Sequence, residues 1–359
     1  MSSALHTALA ATLAPHFDLS KSRLATLAIM IIGLANGRTV NLSHIASQFP
    51  GAAKHSSNYR RLQRFFQHVR LDQDMVAQIV VRMLNLSRSK LLALDRTNWK
   101  VGGKDVNILM LAIVTRRFRV PLMWTLLDHR GNSSTQQRIA LLRRYLALFD
   151  ASSIRLLLAD REFIGAEWMS FLNKNNIPFA IRIKAGMRFE LDNGGTWTLK
   201  TLLRNKRART RAIIWTVGFP DMDMRLAIAA KRLKSGEWLI IATNSDNPGQ
   251  ALNAYRKRWA IECLFGDAKT RGLNMEDTRI TDPLKLSSLL AIITLAITWA
   301  YRCASRTMGR STIKRKVHGR REKSWFRIGL DTLRNWIVNQ PQKAKQAWLS
   351  TCPKQLKTS

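Results

Sequence analysis

Apolar positions in the first quarter of the chain recur at helical spacing. Leu5, Leu9 and Leu13 are followed by Leu24, Leu27, Ile31 and Leu34, the recurrence expected of buried helix faces. Asn36-Gly37 stops that run. Asn41-Leu42-Ser43 then caps a short helix over 43–49, and Pro50-Gly51 breaks it. In Tyr59-Arg60-Arg61-Leu62-Gln63-Arg64-Phe65-Phe66, Leu62, Phe65 and Phe66 face a core while the arginines face out. Residues 1–88 therefore read as a helical domain, with a helix-turn-helix as one way to build it.

The period changes at Lys90. Leu91 to Leu94 is a short apolar run ending in Asp95, Gly102-Gly103 makes a turn, and Val106–Thr115 and Arg119–Leu127 are two further strands. Together they predict a three-stranded antiparallel meander. Gly131-Asn132-Ser133-Ser134 caps a helix over 134–149. Ile154–Ala159 is another buried strand and also ends in a carboxylate, Asp160. A helix through Asn173 and a strand over Pro178–Ile183 follow. Three strands, helix, strand, helix, strand is the succession of an α/β, ribonuclease H-like mixed sheet.

Glycines, Pro220 and short strands such as Ala212–Val217 and Met224–Ala230 mark residues 185–236 as a β-rich insertion, with a basic run at Arg204–Arg211. Trp238–Thr243 returns to the main sheet, and Asn247-Pro248-Gly249 leads into a long helix. The expected division is a helical domain (1–88), an α/β core (89–184 and 237–282), the β-rich insertion (185–236) and a helical basic C-terminal region (283–359). Within the last, Leu286–Tyr301 is the most apolar run. It is 16 residues long and holds four Ser or Thr, short of the roughly 20 residues a membrane span needs, so it predicts a buried core helix and no membrane partner. Residues 306–323 read as a linker or DNA-contacting loop, and 324–349 as a helix.

Charge narrows the function. The 359 residues carry 59 Lys and Arg against 23 Asp and Glu, a formal net charge of +36, far beyond what solubility needs and suited to a polyanion such as nucleic acid. Before Asp95 the acids are Asp18, Asp72 and Asp74; after Asp282 only Glu322 and Asp331 remain. Carboxylate chemistry belongs in the middle, and the basic ends suit DNA-gripping arms. Three cysteines without a Cys-x-x-Cys argue against a disulfide framework or a zinc site. With no signal peptide in the N-terminal residues, the expected location is cytoplasmic.

Residues 255–269, Tyr-Arg-Lys-Arg-Trp-Ala-Ile-Glu-Cys-Leu-Phe-Gly-Asp-Ala-Lys, carry the most specific pattern. As one helix, Tyr255, Arg258, Glu262 and Lys269 fall within roughly a 60° arc, a carboxylate flanked by two cations and a phenol. Such a face offers a metal ligand together with groups that grip phosphates. Asp95 and Asp160, each ending an apolar strand, supply two more carboxylates at one sheet edge if those strands are neighbours. Asp128, at a strand end, could rival Asp95, but it reads with Glu162 and Asp267 as structural, capping or supporting.

The spacing of Tyr255, Arg258, Glu262 and Lys269 resembles the motif of the IS4-type insertion-sequence transposases. Asp95 in Leu-Asp-Arg-Thr-Asn-Trp, Asp160 in Ala-Asp-Arg-Glu-Phe and the β insertion before Glu262 extend the resemblance over about residues 60–305. It implies an Asp-Asp-Glu site in which Asp95, Asp160 and Glu262 are catalytic and bind two Mg²⁺ ions, with Mn²⁺ as a substitute. It also implies that Tyr255, Arg258 and Lys269 contact DNA phosphates, and that the chain works on double-stranded element ends and target as a homodimer. Trp238 or Trp259 is available to stack on a displaced base. A structure-selective nuclease of the same fold, or a non-catalytic DNA-binding derivative, are the alternatives.

Overall fold

The computed structural model describes residues 3–86, 90–190, 194–204, 213–219, 222–317 and 319–349. Helices α1 (Ser3–Leu13), α2 (Lys21–Gly37), α3 (Leu42–Ala46), α4 (His55–His68) and α5 (Gln73–Met83) open the chain. Their starts are set by side-chain caps: Ser20, Asn41 and Asp72 accept from the backbone N–H groups of Arg23, Ser43 and Asp74. The stop predicted at Asn36-Gly37 falls one residue later, on Arg38, which takes the left-handed conformation at φ 55°. Its guanidinium is held by the carbonyl of Gly272 (3.3 Å).

The meander follows as β1 (Lys90–Val101), β2 (Lys104–Val114) and β3 (Arg119–Leu127). Next come α6 (Thr135–Leu148), closed by a Ser134–Gln137 capping box, then β4 (Ile154–Ala159), α7 (Ala166–Lys174) and β5 (Phe179–Arg182). The predicted succession is present in order. One boundary differs in a way that matters: β1 does not end at Asp95. It continues to Val101 because Arg96–Val101 stay paired with Lys104–Leu109 of β2. What ends at that level is the neighbour on the other side, β4, whose parallel pairing with β1 stops at Leu94 opposite Ala159.

The insertion supplies β6 (Arg188–Glu190), β7 (Thr196–Thr198), α8 (Leu199–Leu203), β8 (Ile213–Phe219) and β9 (Met222–Arg232), before β10 (Trp238–Thr243). Its strands continue the main sheet. β10 lies antiparallel to β5 on one side and to β9 on the other, giving one ten-stranded sheet in the order β3-β2-β1-β4-β5-β10-β9-β8-β6-β7. The basic run predicted at Arg204–Arg211 lies outside the described residues from 205 onward.

The rest is helical: α9 (Pro248–Tyr255), α10 (Trp259–Ala268), α11 (Pro283–Met308), α12 (Trp325–Asn339) and α13 (Pro341–Leu349). By length and composition alone α11 is able to cross a membrane, but 83% of its most apolar window is buried inside the protein, as expected of a core helix. The single helix predicted over 324–349 is two, because Pro341 has no N–H to continue α12 and its ring excludes the preceding turn. The terminal helices meet around α11: Trp299 donates to Ala344 O (3.1 Å), Trp348 donates to Thr12 Oγ1 (2.5 Å), and Arg334 donates to Asn36 O (2.9 Å).

α11 and α12 approach so closely that a Cβ on Gly329 would lie 1.9 Å from the Ala300 carbonyl oxygen. Backbone cannot yield as a flexible side chain can. Gly329→Ala is therefore expected to cost about 1–3 kcal/mol, the range for overpacked cores, read as a lower urea midpoint. A variant as stable as the parent would mean the two helices have room to separate.

Candidate active site

The register that ends β4 beside Leu94 puts the next residues of both strands, Asp95 and Asp160, at the same level on neighbouring parallel strands. Each carboxylate accepts the backbone N–H of the residue after it, Arg96 and Arg161, at 2.8 Å. These short bonds fix Asp95 Oδ1 and Asp160 Oδ1 and leave the second oxygen of each to face the space in front of the strands. Glu262 reaches that space from the first turn of α10.

One guanidinium sits among the three. Arg258 Nη1 donates to Asp95 Oδ2 at 3.1 Å and lies 3.8 Å from Asp160 Oδ2, while Nη2 pairs with Glu262 Oε1. Exposure rises from 15% for the Asp95 side chain to 29% for Asp160 and 33% for Glu262, with Arg258 at 11%. The cluster is thus sealed at Asp95 and open at Glu262, which gives a substrate one side to arrive from.

Burial pushes the Asp95 carboxyl up to about 6. The Arg96 N–H and Arg258 oppose the shift, and the charges of Glu162 and Glu262 add to it. For Arg258 burial acts to lower the pKa, but Tyr255, Asp160, Asp95 and the bond to Glu262 outweigh it, and the guanidinium is held above its ordinary value.

The segment 255–269 reaches this arrangement by a different route from the predicted continuous helix. α9 ends at Tyr255, Arg256–Arg258 form one 3₁₀ turn, α10 runs from Trp259 to Ala268, and Lys269 lies beyond it with ψ −141°. The single-face geometry holds only for Arg258 and Glu262, an i,i+4 pair. Tyr255 is buried, its hydroxyl donating to the carbonyl of Ala159 (3.2 Å), the residue before Asp160. Burial raises its pKa. Lys269 lies over the Trp99 ring, donates to Asn98 O (3.1 Å) and pairs with Glu276 (3.0 Å). It is therefore beside β1, three residues beyond Asp95 along the strand.

Other carboxylates separate clearly. Asp267 is buried against Arg119 (2.8 Å) and joins α10 to β3. Asp128 is 94% exposed, with His129 at 4.0 Å. Glu162 lies 3.5 Å from Arg96 and is close enough to act on Asp95. Trp99 and Glu276, which position Lys269, did not stand out in the sequence; Trp99 is in the same Leu-Asp-Arg-Thr-Asn-Trp run as Asp95, which was the available signal.

The donor set is all carboxylate oxygen, the chemistry that suits a hard divalent cation. Among the described residues no three acidic, His or Cys side chains stand close enough to hold a metal ion as they are. The oxygens of Asp95, Asp160 and Glu262 are instead spread around the Arg258 guanidinium.

Residues 86–299, more than half of the chain, match the family described as Transposase DDE domain, and the chain belongs to that family. It is a transposase enzyme whose partner is DNA, and enzymes of this family generally use divalent metal ions. The family's domain is ribonuclease H-like, in agreement with the sheet order from β3 to β5. No curated protein matches the chain.

Because Asp95 holds its proton more tightly in the folded state than in the unfolded one, its ionisation destabilises the fold. The penalty is absent below about pH 4, grows through about pH 6 and is complete above it. Asp95→Asn is expected to gain about 2–3 kcal/mol at pH 8 and nothing at pH 4, measured by urea unfolding of both proteins at each pH. An equal gain at both pH values would show that the effect is not the buried charge.

Proposed function

We propose that the chain is an IS4-type transposase that binds the ends of an insertion sequence and moves it by metal-dependent cutting and joining. The observation that carries this reading is the shared contact of Asp95, Asp160 and Glu262 with one guanidinium, from two adjacent strands and a helix. Asp95, Asp160 and Glu262 would hold two Mg²⁺ ions, or Mn²⁺ in their place. Bound there, the ions would activate the attacking oxygen and stabilise charge on the phosphoryl group. The protein's own part is to fix the carboxylates, exclude water on the Asp95 side, and bring phosphates to the open Glu262 side.

In this reading Arg258 is the counter-ion of the carboxylates in the free protein and passes to a DNA phosphate in the complex. A guanidinium serves both, since carboxylate and phosphate present the same fork of oxygens. Lys269 contacts a phosphate further along β1. Tyr255, as a phosphate ligand, must exchange its bond to Ala159 for one to DNA. The indole of Trp259, 62% exposed beside Arg258, is available to stack on a displaced base, with half-buried Trp238 as the other candidate. Two copies working on paired ends accounts for coordinated joining.

The test is cleavage and joining of a plasmid carrying the DNA that flanks the gene, with Mg²⁺ or with EDTA. Asp95→Ala, Asp160→Ala and Glu262→Ala are each expected to lose at least about a hundredfold in rate while still binding the ends. Activity that survives all three substitutions, or that persists in EDTA, rejects the assignment. For the phosphate contacts, Arg258→Gln and Lys269→Gln are each expected to lower the salt dependence of end binding by about one in log–log slope. An unchanged slope removes that residue from the DNA. Normal cleavage by both Trp238→Ala and Trp259→Ala would remove the stacking role.

A further inference from the structure

The stretch between α11 and α12 carries eight Lys or Arg and one acid, Glu322, over residues 306–323. It is not an irregular linker. Lys316 N–H donates to Arg320 O (2.8 Å) and Glu322 N–H donates to Lys314 O (2.9 Å), on either side of a bridge between Arg315 and Arg321. Gly319 at φ 77° turns the chain between them, and its carbonyl accepts Arg315 Nη1 at 2.9 Å. The result is a small antiparallel hairpin with a fully exposed Val317 at its end.

Its register is unfavourable to itself. Arg315 stands directly opposite Arg321 in the position between the two hydrogen-bonded pairs, where side chains of an antiparallel ladder come closest, with Cα atoms about 4.5 Å apart. Lys316 stands opposite Arg320. Like charges placed directly across a ladder repel and destabilise it. Glu322 faces Lys314 in this register, and Lys323 turns away to Asp331 (3.0 Å) on α12. Among the described residues, Arg310, Lys314, Arg315, Lys316 and Arg321 have no carboxylate within ion-pairing distance.

The hairpin is firmly rooted. Ile313 packs on the hydrophobic core at its start. At its end, Trp325 lies under the Arg117 guanidinium (4.9 Å) of the β2–β3 turn. Phe326 packs against Gly272, just after the Glu262 helix, so closely that a Cβ there would lie 2.6 Å from the ring. A rigid base and a like-charged, exposed ladder is a shape that waits for an anion held between two strands. The backbone of duplex DNA offers a row of them.

We propose that this hairpin is a second DNA grip, separate from the carboxylate site, which binds the phosphate backbone of duplex DNA without regard to sequence. The proposal rests on the transposase reading for its partner. Duplex DNA is favoured over an anionic membrane because Val317 is the one large apolar side chain exposed on the described part of the hairpin, too little for insertion, and because the base is tied to the loop that follows Glu262.

The experiment measures fluorescence anisotropy of mixed-sequence duplexes with the full chain in EDTA, across a salt series. Wild type is compared with a triple variant, Arg315→Ser, Lys316→Ser and Arg321→Ser. Three lost phosphate contacts are expected to flatten the log–log salt slope by about 2–3 and to weaken binding at least about tenfold for every sequence tried. Circular dichroism of the variant checks that the fold is kept, which exposed side chains on a hairpin should allow. An unchanged slope overturns the hairpin grip and leaves the transposase reading standing. Absence of duplex binding by the wild-type chain overturns both. Loss of binding to phosphatidylserine vesicles with duplex binding intact overturns the grip in favour of a membrane contact.

Discussion

The parallel pairing of β1 with β4 sets the terms for everything near the carboxylates. Leu94 lies opposite Ala159, so the first residue beyond the shared ladder on each strand is an aspartate, and both emerge at one level. A shift of one residue would send one of them to the opposite face of the sheet. The apolar runs Leu91–Leu94 and Leu156–Ala159 hold this register because their side chains fill the core on both faces. Placing carboxylates at the end of so apolar a ladder has an electrostatic cost, visible in Asp95, whose proton is retained to about pH 6. Arg258 offsets part of that cost by serving three acids at once.

Around this register the structure adds a series of braces. Tyr255 pins the carbonyl before Asp160, Lys269 pins β1 beyond Asp95, and Arg119 with Asp267 fastens the back of the Glu262 helix to β3. The loop after that helix is in turn held by Arg38 from the N-terminal helices and by Phe326 from α12. The helical ends of the chain therefore bear directly on the segment that carries Glu262. They are parts of one scaffold that fixes the position of Glu262, in keeping with the need to hold catalytic groups on supported elements.

Much of this was legible in the sequence, for reasons that can be named. Leu91–Leu94 and Ile154–Ala159 are short, apolar and punctuated, so their strands and the acids beyond them were readable. Arg258 and Glu262 were readable as an i,i+4 pair. What failed was anything set by tertiary pairing. Asp95 looked like a strand end because the apolar run stops there, yet β2 carries β1 on through polar Arg96–Lys100. The helix through 255–269 looked continuous because no Pro or Gly interrupts Tyr255–Phe265, yet the chain tightens into a 3₁₀ turn at Arg256–Arg258. The burial of Tyr255 and the bond from Lys269 to Asn98 depend on contacts across 96 and 171 residues of chain, which no local pattern records. The insertion read as a subdomain because Gly194-Gly195, Pro220 and Gly236 punctuate its stretches; pairing of β9 with β10 made it an extension of the same sheet.

The contact between Thr12 and Trp348 spans 336 residues, and it has a consequence for how the protein is made. A ribosome adds roughly 5–20 residues per second, so the face of α1 that receives α13 stays uncovered for about 20–70 seconds after it emerges. The strands β1–β5 are all released well before α11 and α12, which complete their support. Maturation of the site thus waits until α12 has emerged, and a chain cut short before α12 would carry all three carboxylates without the helix that braces the loop behind Glu262.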